Sequence, residues 1–333
     1  MWEQTKERIR PFLPGLIVVG ITALAARFVS DHYGAPAMLM ALLFGIALNF
    51  LSEQDKPQAG IRFSSRTLLR VGVALLGFRI SAEMALSLGW MTLSLIVGVV
   101  LATIAIGMLL ARIFGFRPDF GFMSAGSVAI CGASAAMAIA AILPKNERSE
   151  DALVFTVVGV TILSTVAMIA YPILTEQIGM SEDVAGVFLG TTIHDVAQVV
   201  GAGFSISDRT GEVATIVKLI RVSLLAPVII IATLVVRRVA SDGEFSDDRP
   251  QLIPPFVLAF FVLVALNSLG FLPIWMQQLA TQASSWALLA AISAVGMRTS
   301  LKEVFDVGGR AIALLVTQTI LIALMALGML QWV

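Results

Sequence analysis

Four ionisable side chains stand inside two of the most apolar stretches of this chain. His194 and Asp195 lie in one stretch, and Lys218 and Arg221 lie in the next one along the sequence. A charge at the centre of a bilayer costs from about 3 to more than 10 kcal/mol, so ionisable groups there usually line a site or a pathway. Their grouping predicts a buried polar site that favours an anion.

The two cations have the spacing of a single binding surface. Lys218 and Arg221 are three residues apart and share a face of a helix. Lysine supplies a point charge, and arginine supplies a planar fork that suits the oxygens of carboxylate, sulfate, sulfonate or phosphate. We therefore expect them to bind an anionic substrate. The alternative is that both side chains extend along the helix to the membrane surface.

His194 and Asp195 are candidates for ion coupling. A histidine titrates near neutral pH, and a buried carboxylate can also take up a proton within a transport cycle. Thr192 and Gln198 flank the pair and are expected to donate hydrogen bonds to the substrate. In the alternative interpretation, Asp195 only neutralises Lys218 or Arg221 as a buried structural ion pair.

A run of small residues precedes these charges in the sequence. Residues 121–136 are crowded with glycine, serine and alanine. Such a run allows helices to pack closely in lipid, but it is equally typical of a broken helix whose free N–H groups face an anion. In the second interpretation the cradle for the substrate consists of Ser127, Cys131, Gly132 and Ser134.

The elements that position these residues must be membrane helices. Hydrophobic residues make up 58% of the chain and charged residues 13%, about half the charged share of a soluble domain. Apolar stretches of roughly 18 to 25 residues, each long enough to cross the hydrocarbon core, predict an all-α polytopic membrane protein in which residues 1–333 form one domain. About eleven spans are expected, over 11–30, 35–51, 67–88, 90–113, 120–143, 151–174, 184–203, 212–236, 254–272, 283–303 and 309–332, and the transport-site segments are 120–143 and 184–236.

The distribution of lysine and arginine predicts the orientation. With the N-terminus inside, fifteen of these residues fall on the cytoplasmic side and five on the other, which favours a cytoplasmic N-terminus and a periplasmic C-terminus. The single Cys131 excludes an intrachain disulfide, and the histidine and cysteine spacing predicts no metal site. No basic block suggests nucleic acid, and no cofactor is expected.

Two parts of the chain resemble each other. Residues 36–101 match 255–320 at an offset of 219, which predicts repeat units of approximately 35–113 and 254–332. An odd number of expected crossings separates the two units, so they run in opposite directions through the membrane. Such inverted repeats are typical of secondary transporters. Arg79 and Arg298 correspond in this alignment and are expected at helix ends, near Glu83 and Glu303. A weaker likeness joins residues 130–136 to 193–197, and by the span count these two would run in the same direction, so the likeness is accidental or one segment is re-entrant.

Three segments together resemble one bacterial family. Residues 127–135, 190–200 and 217–221, in this order, are similar to the YeiH-type membrane family, usually described as putative sulfate exporters. The resemblance implies a protein of the inner membrane with a role in anion transport. Its pattern is also similar to the broken-helix architecture of bile-acid symporters and sodium/proton antiporters, which is an analogy of fold only.

These observations predict a secondary transporter that exports a small anion, of the sulfate or sulfonate class. Coupling to H⁺ is preferred over Na⁺ because of His194, a homodimer is expected by analogy, and the lipid bilayer is its surroundings. No nucleotide-binding loop is present, and no catalytic residues are assigned. The alternatives are a channel or sensor subunit, and an intramembrane enzyme that uses Ser127 or Cys131 with His194.

Overall fold

Helices account for all the regular structure in the part of the chain that can be described. The computed structural model describes residues 10–80, 82–143, 149–239, 254–270, 273–299 and 309–330, and no strand occurs within these ranges. Six of the described helices are long and apolar enough to cross a membrane, and four apolar helices of 10–17 residues accompany them. The chain is an all-helical, multi-pass membrane protein.

The helices are numbered here in chain order. The first eight are α1 (Leu13–Tyr33), α2 (Ala37–Ala47), α3 (Asp55–Phe63), α4 (Leu69–Leu75), α5 (Ala82–Ser87), α6 (Gly89–Ile113), α7 (Pro118–Ala129) and α8 (Ala133–Ile142). The others are α9 (Ser149–Ile178), α10 (Glu182–Thr192), α11 (Val196–Ile206), α12 (Asp208–Ser223), α13 (Leu225–Val239), α14 (Pro255–Ser268), α15 (Ile274–Met297) and α16 (Gly309–Leu330). A π-helical turn, Ser64–Leu68, joins α3 to α4, and a 3₁₀ turn, Leu76–Phe78, follows α4.

The predicted span 120–143 is two helices that fold back on each other. A Cβ atom placed on Gly126 of α7 would meet the Ile139 side chain of α8, although thirteen residues of a straight helix would separate them by about 20 Å. Arg117 at the start of α7 and Leu143 after α8 also line one cavity of about 670 Å³. The continuous helix expected over 120–143 is therefore not present: α7 and α8 form a hairpin whose two outer ends line the same cavity.

Gly132 makes this reversal. Its φ of 59° and ψ of −125° lie where a side chain is strained, and its N–H donates to the Ser127 carbonyl at 2.8 Å. The predicted span 184–203 is interrupted as well, because α10 ends at Thr192 and the chain is extended at Ile193 before α11 begins at Val196. We call residues 130–132 and 193–195 the first and second interruptions.

The chain separates into two compact units. Unit 1 comprises Met1–Ser87, Val200–Glu212 and Pro255–Ser300, and unit 2 comprises Leu88–Val199, Val213–Pro254 and Leu301–Val333. Unit 1 is held by close helix contacts at glycines, because Gly15 lies against the backbone of Gly60 and Gly45 against that of Gly296. One apolar cluster of unit 2 joins α6, α7, α9 and α16 through Val99, Val128, Val160, Leu315 and Ile322.

Helix bounds follow the 219-residue offset that the sequence predicts. The rod 55–78, which contains α3 and α4, corresponds to α15 at 274–297. The start of α6 at Gly89 corresponds to residue 308, and α16 begins one residue later, at Gly309. Asn49 donates to the Met297 carbonyl at 2.7 Å, and its counterpart Asn267 donates to the Ile80 carbonyl at 3.2 Å. The two asparagines thus make nearly reciprocal contacts. Ser81, Ser300 and Glu303, which belong to the same alignment, lie outside the described residues.

Candidate functional site

The two buried cations of α12 bind main-chain carbonyls at both interruptions. The Lys218 ammonium donates to the Ile130 carbonyl at 2.9 Å and to the Ile193 carbonyl at 3.0 Å. The Arg221 guanidinium makes five contacts between 2.7 and 3.1 Å, one for each of its N–H groups. Its acceptors are the carbonyls of Val128, Ala129, Gly190 and Ile193.

Helix geometry explains why cations sit here. The C-terminal ends of α7 and α10 leave carbonyls without intrahelical partners and carry the negative end of the helix dipole. Both cationic side chains have no exposed area, so each lost its hydration, which costs several kcal/mol and must be offset by close partners. The carbonyls are those partners. We name the carbonyl oxygens of Val128, Ala129, Ile130, Gly190 and Ile193 the carbonyl cluster.

Asp195 lies on the opposite, N-terminal side of the interruptions. Its Oδ1 accepts from the Ala133 N–H at 3.4 Å, at the start of α8, and its own N–H donates to Ser164 Oγ at 3.0 Å. Negative charge is stabilised at a helix N-terminus. Gly132 leaves room for this carboxylate, because a Cβ there would collide with it. Among the described residues, no ion pair within 4.0 Å joins Asp195 to Lys218 or Arg221.

His194 points into the core of unit 2. Its Nε2 lies 2.9 Å from Thr319 Oγ1, whose hydroxyl donates to the Leu315 carbonyl at 2.8 Å. The imidazole and the Thr319 hydroxyl therefore form one hydrogen bond, in which the histidine tautomer determines the donor. The imidazole is fully buried. His194 therefore anchors the second interruption to α16.

Some of the small and polar residues predicted to bind the substrate are buried, and one is exposed. Ser127 Oγ donates to the Met123 carbonyl at 2.5 Å, and Thr192 Oγ1 donates to the Phe188 carbonyl at 2.7 Å, so both serve their own helices. Cys131 is buried. Ser134, whose hydroxyl donates to the Cys131 carbonyl at 3.2 Å, is exposed on α8. Of these four, Ser134 alone is open to a ligand.

Unit 2 brings all ten predicted site residues together, but it divides their surroundings into two sides. Lys218 and Arg221 lie on the carbonyl side, while Asp195 and the exposed Ser134 lie where α8 and α11 begin. Gln198 extends the second side, since its Nε2 donates to Thr165 Oγ1 at 3.4 Å and its buried Oε1 has no hydrogen-bond partner within the described ranges. The first side thus combines the negative C-terminal ends of helices with two cations, and the second combines the positive N-terminal ends of helices with a carboxylate.

Sequence reasoning missed the residues of α9 and α16 that complete this site. Ser164 and Thr165 contact Asp195 and Gln198, and Thr319 contacts His194. The sequence held a signal for the α9 residues, because Thr161, Ser164 and Thr165 repeat at helical spacing on one face in the middle of this helix.

Arg79 has partners other than the predicted one. It pairs with Asp208 at 2.9 Å and with Glu212, all within unit 1, whereas Glu83 had been expected to lie close to it. Asp208 and Glu212 follow α11 in the chain, so no local pattern relates them to Arg79. Arg298 donates to Ser65 Oγ at 3.2 Å.

Fold and site together define a multi-pass helical membrane protein built around two interrupted helical segments with neutralised ends. A family model described as Conserved hypothetical protein 698 matches residues 12–315, and the chain belongs to this family. Similar relatives are a UPF0324 membrane protein of Rhizobium meliloti, 54% identical over 94% of this chain and 91% of its own length, and the UPF0324 membrane protein TauZ of Paracoccus denitrificans, 54% identical over 95% and 94%. A UPF0324 membrane protein of Chlorobaculum tepidum is 47% identical over 99% and 92%. The family resemblance predicted from the three motifs is confirmed, and no solved structure matches the chain.

Proposed function

We propose that this protein is a secondary transporter for small oxyanions, of the sulfate or organosulfonate class, in the bacterial inner membrane. One observation carries the proposal: two interrupted helical segments meet in unit 2, and their unwound ends are neutralised by Lys218 and Arg221. Discontinuous helices at repeat interfaces are where secondary transporters bind substrates and coupling ions.

The anion binds at the starts of α8 and α11 rather than on the cations themselves. Arg221 has no N–H left for a ligand, so its direct contact with substrate, predicted from the sequence, is not part of this proposal. The first N–H groups of a helix lack intrahelical acceptors and attract anions. Ser134 and Gln198 supply the side-chain hydrogen bonds, while Lys218 and Arg221 act indirectly by holding the carbonyl ends.

Asp195 carries the coupling proton in this proposal. Its carboxylate lies at the N-terminus of α8, where the substrate anion is also placed. Two negative groups at one site repel each other. Protonation of Asp195 therefore favours binding of the anion, and loss of the proton disfavours it. His194 contributes by holding the second interruption on Thr319. Export is the proposed direction.

Both interrupted segments are proposed to be re-entrant, from opposite sides of the membrane. In this proposal the chain crosses once through α6 before the first hairpin and once through α9 after it, both of which are long enough to span, so α10 begins on the side of the membrane from which α6 starts. Arg79 precedes α6 in the chain, and Asp208 and Glu212, which follow α11, pair with it; we therefore propose that the chain returns after α11 to the side from which α6 starts. This arrangement resolves the likeness of 130–136 to 193–197, because hairpins from opposite sides fit an inverted repeat.

The charge distribution supports the same topology. If both interrupted segments return, nine crossings are left, and the N-terminus stays cytoplasmic and the C-terminus periplasmic. The return of the first hairpin also moves Lys145 and Arg148, which lie outside the described residues, from the external to the cytoplasmic count. Seventeen lysines and arginines then lie on the cytoplasmic side and three on the external side, which is a stronger bias than fifteen and five. A homodimer and a broken-helix architecture like that of bile-acid symporters remain part of the proposal by analogy.

Transport assays in proteoliposomes test the proposal. We expect labelled sulfate or a labelled alkanesulfonate to move faster than in protein-free liposomes, to saturate with concentration, and to accumulate when a pH gradient is imposed. Saturable, gradient-driven accumulation separates a transporter from a channel, whose flux only dissipates a gradient. Flux equal to that of protein-free liposomes for both anions would contradict the proposal.

The enzyme alternative is less well supported by the geometry. A nucleophile needs a base within hydrogen-bond reach, yet Ser127 donates to its own helix and His194 is engaged with Thr319. We therefore propose that the protein is not an enzyme.

A further inference from the structure

The carbonyl cluster has the composition of a cation site. Its five oxygens come from the ends of two different helical segments, and Lys218 and Arg221 donate seven hydrogen bonds to them. Rings of main-chain carbonyls replace the hydration shell of alkali metal ions in selectivity filters, and unwound carbonyls coordinate Na⁺ in transporters. Here the cationic groups belong to the chain itself.

We infer that the Lys218 ammonium occupies the place of an alkali metal ion, and that removing it opens a site for a small monovalent cation. The ammonium is a compact point charge, and it bridges one carbonyl of each interruption, Ile130 at 2.9 Å and Ile193 at 3.0 Å. A metal ion in this position would likewise join the two interruptions. Arg221 is a poorer substitute for a metal ion because its planar group spreads over four carbonyls.

The consequence for coupling depends on the proposed function. A transporter whose central cation is covalently attached does not need Na⁺ to hold its interruptions together. Folding and flux of the wild-type protein should therefore be independent of Na⁺, while the proton remains the coupling ion. The cation site at the carbonyl cluster affects the stability of the fold, so it can be tested without a transport substrate.

The test compares wild type, Lys218→Ala and Lys218→Met in detergent, by thermal unfolding in chloride salts of Na⁺, K⁺, ethylammonium and choline at equal ionic strength. Alanine leaves space for an ion, whereas methionine fills the space with an apolar chain. We expect the wild type to unfold at the same temperature in all four salts. Lys218→Ala should unfold at a lower temperature in choline and recover by about 3 °C or more in Na⁺, K⁺ or ethylammonium, and Lys218→Met should be destabilised without recovery.

Two results would overturn the inference. One is a Lys218→Ala protein that responds equally to all four salts, since choline is too large and has no N–H to donate. The other is a wild-type protein whose unfolding temperature depends on Na⁺, and this measurement stands even if neither variant folds. Absence of anion flux, with the expected salt pattern intact, would reject the proposed function and leave the cation site standing.

Discussion

At the scale of single residues, Arg221 joins the two interruptions more extensively than any other described side chain. All of its N–H groups are donated to carbonyls of Val128, Ala129, Gly190 and Ile193. Its removal leaves buried carbonyls unpartnered, and breaking a buried charged network typically costs about 3–5 kcal/mol.

We predict that Arg221→Lys lowers the unfolding temperature markedly although it conserves the charge. The single nitrogen of lysine cannot reach the acceptors that the three guanidinium nitrogens reach together, so carbonyls lose their donor at about 1–3 kcal/mol each. The matched control is Arg112→Lys at an exposed position on α6, where little change is expected. Equal unfolding temperatures for the two variants in detergent would contradict the role of the guanidinium.

Gly132 provides a second prediction at this scale. Gly132→Ala combines a strained φ of 59° with a collision against the Asp195 carboxylate. Gly179→Ala carries a similar strain at φ 73° but has open space around the new Cβ, so it should cost only about 1–2 kcal/mol. We expect Gly132→Ala to cost more, and the additional Asp195→Ala change to relieve part of the excess. Additive losses in this double-mutant cycle would show that the two residues are not coupled.

The sequence identified these residues better than it identified their partners. The apolar surroundings of Lys218 and Arg221 predict burial, and their spacing places them on one face of α12. What that face meets depends on α7 and α10, whose ends approach it only after the chain has folded. Carbonyl acceptors carry no residue signature, so the sequence suggested an anion or Asp195 as the partner.

At the scale of elements, the hairpin of α7 and α8 was hidden by its length. Two apolar helices of 12 and 10 residues, joined by a short turn, have the summed length of one membrane crossing. Gly132 is the local signal of the reversal, but glycine in a run of small residues is also typical of close helix packing. Hydropathy alone cannot separate these two structures.

A labelling experiment tests the hairpin. Single cysteines at Arg117 and Leu143, in a Cys131→Ser background, lie at the two ends of the hairpin and line one cavity. We predict that a membrane-impermeant thiol reagent modifies both from the same side of the membrane in oriented vesicles. Modification from opposite sides would mean that residues 118–142 cross the membrane.

At the scale of the whole molecule, the inverted repeat remains a prediction with physical support. The matched bounds of 55–78 and α15, and the contacts of Asn49 and Asn267, are what duplicated units would give. Composition predicted the all-helical membrane class because a chain with 58% hydrophobic residues has few other ways to satisfy its backbone. The count of eleven crossings was not confirmed because helix length does not reveal re-entrance.

The proposed topology predicts where the C-terminus lies. With both hairpins re-entrant, a phosphatase fused after Val333 should be active in the periplasm, and a fluorescent protein fused there should be dark. With only the first hairpin re-entrant, the C-terminus would be cytoplasmic and both signals would reverse. The pair of fusions therefore distinguishes the two arrangements.

The central claim, that small oxyanions are transported at the starts of α8 and α11, is tested most directly by flux through site variants. Proteoliposomes would contain wild type, Asp195→Asn or Ser134→Ala, with Ser94→Ala as the matched control, because the Ser94 hydroxyl also donates to the carbonyl three residues before it. We predict that Asp195→Asn abolishes pH-driven accumulation, that Ser134→Ala raises the half-saturating concentration of sulfate or sulfonate several-fold, about what one lost hydrogen bond gives, and that Ser94→Ala behaves as wild type. Equal accumulation by all four folded proteins would contradict the account.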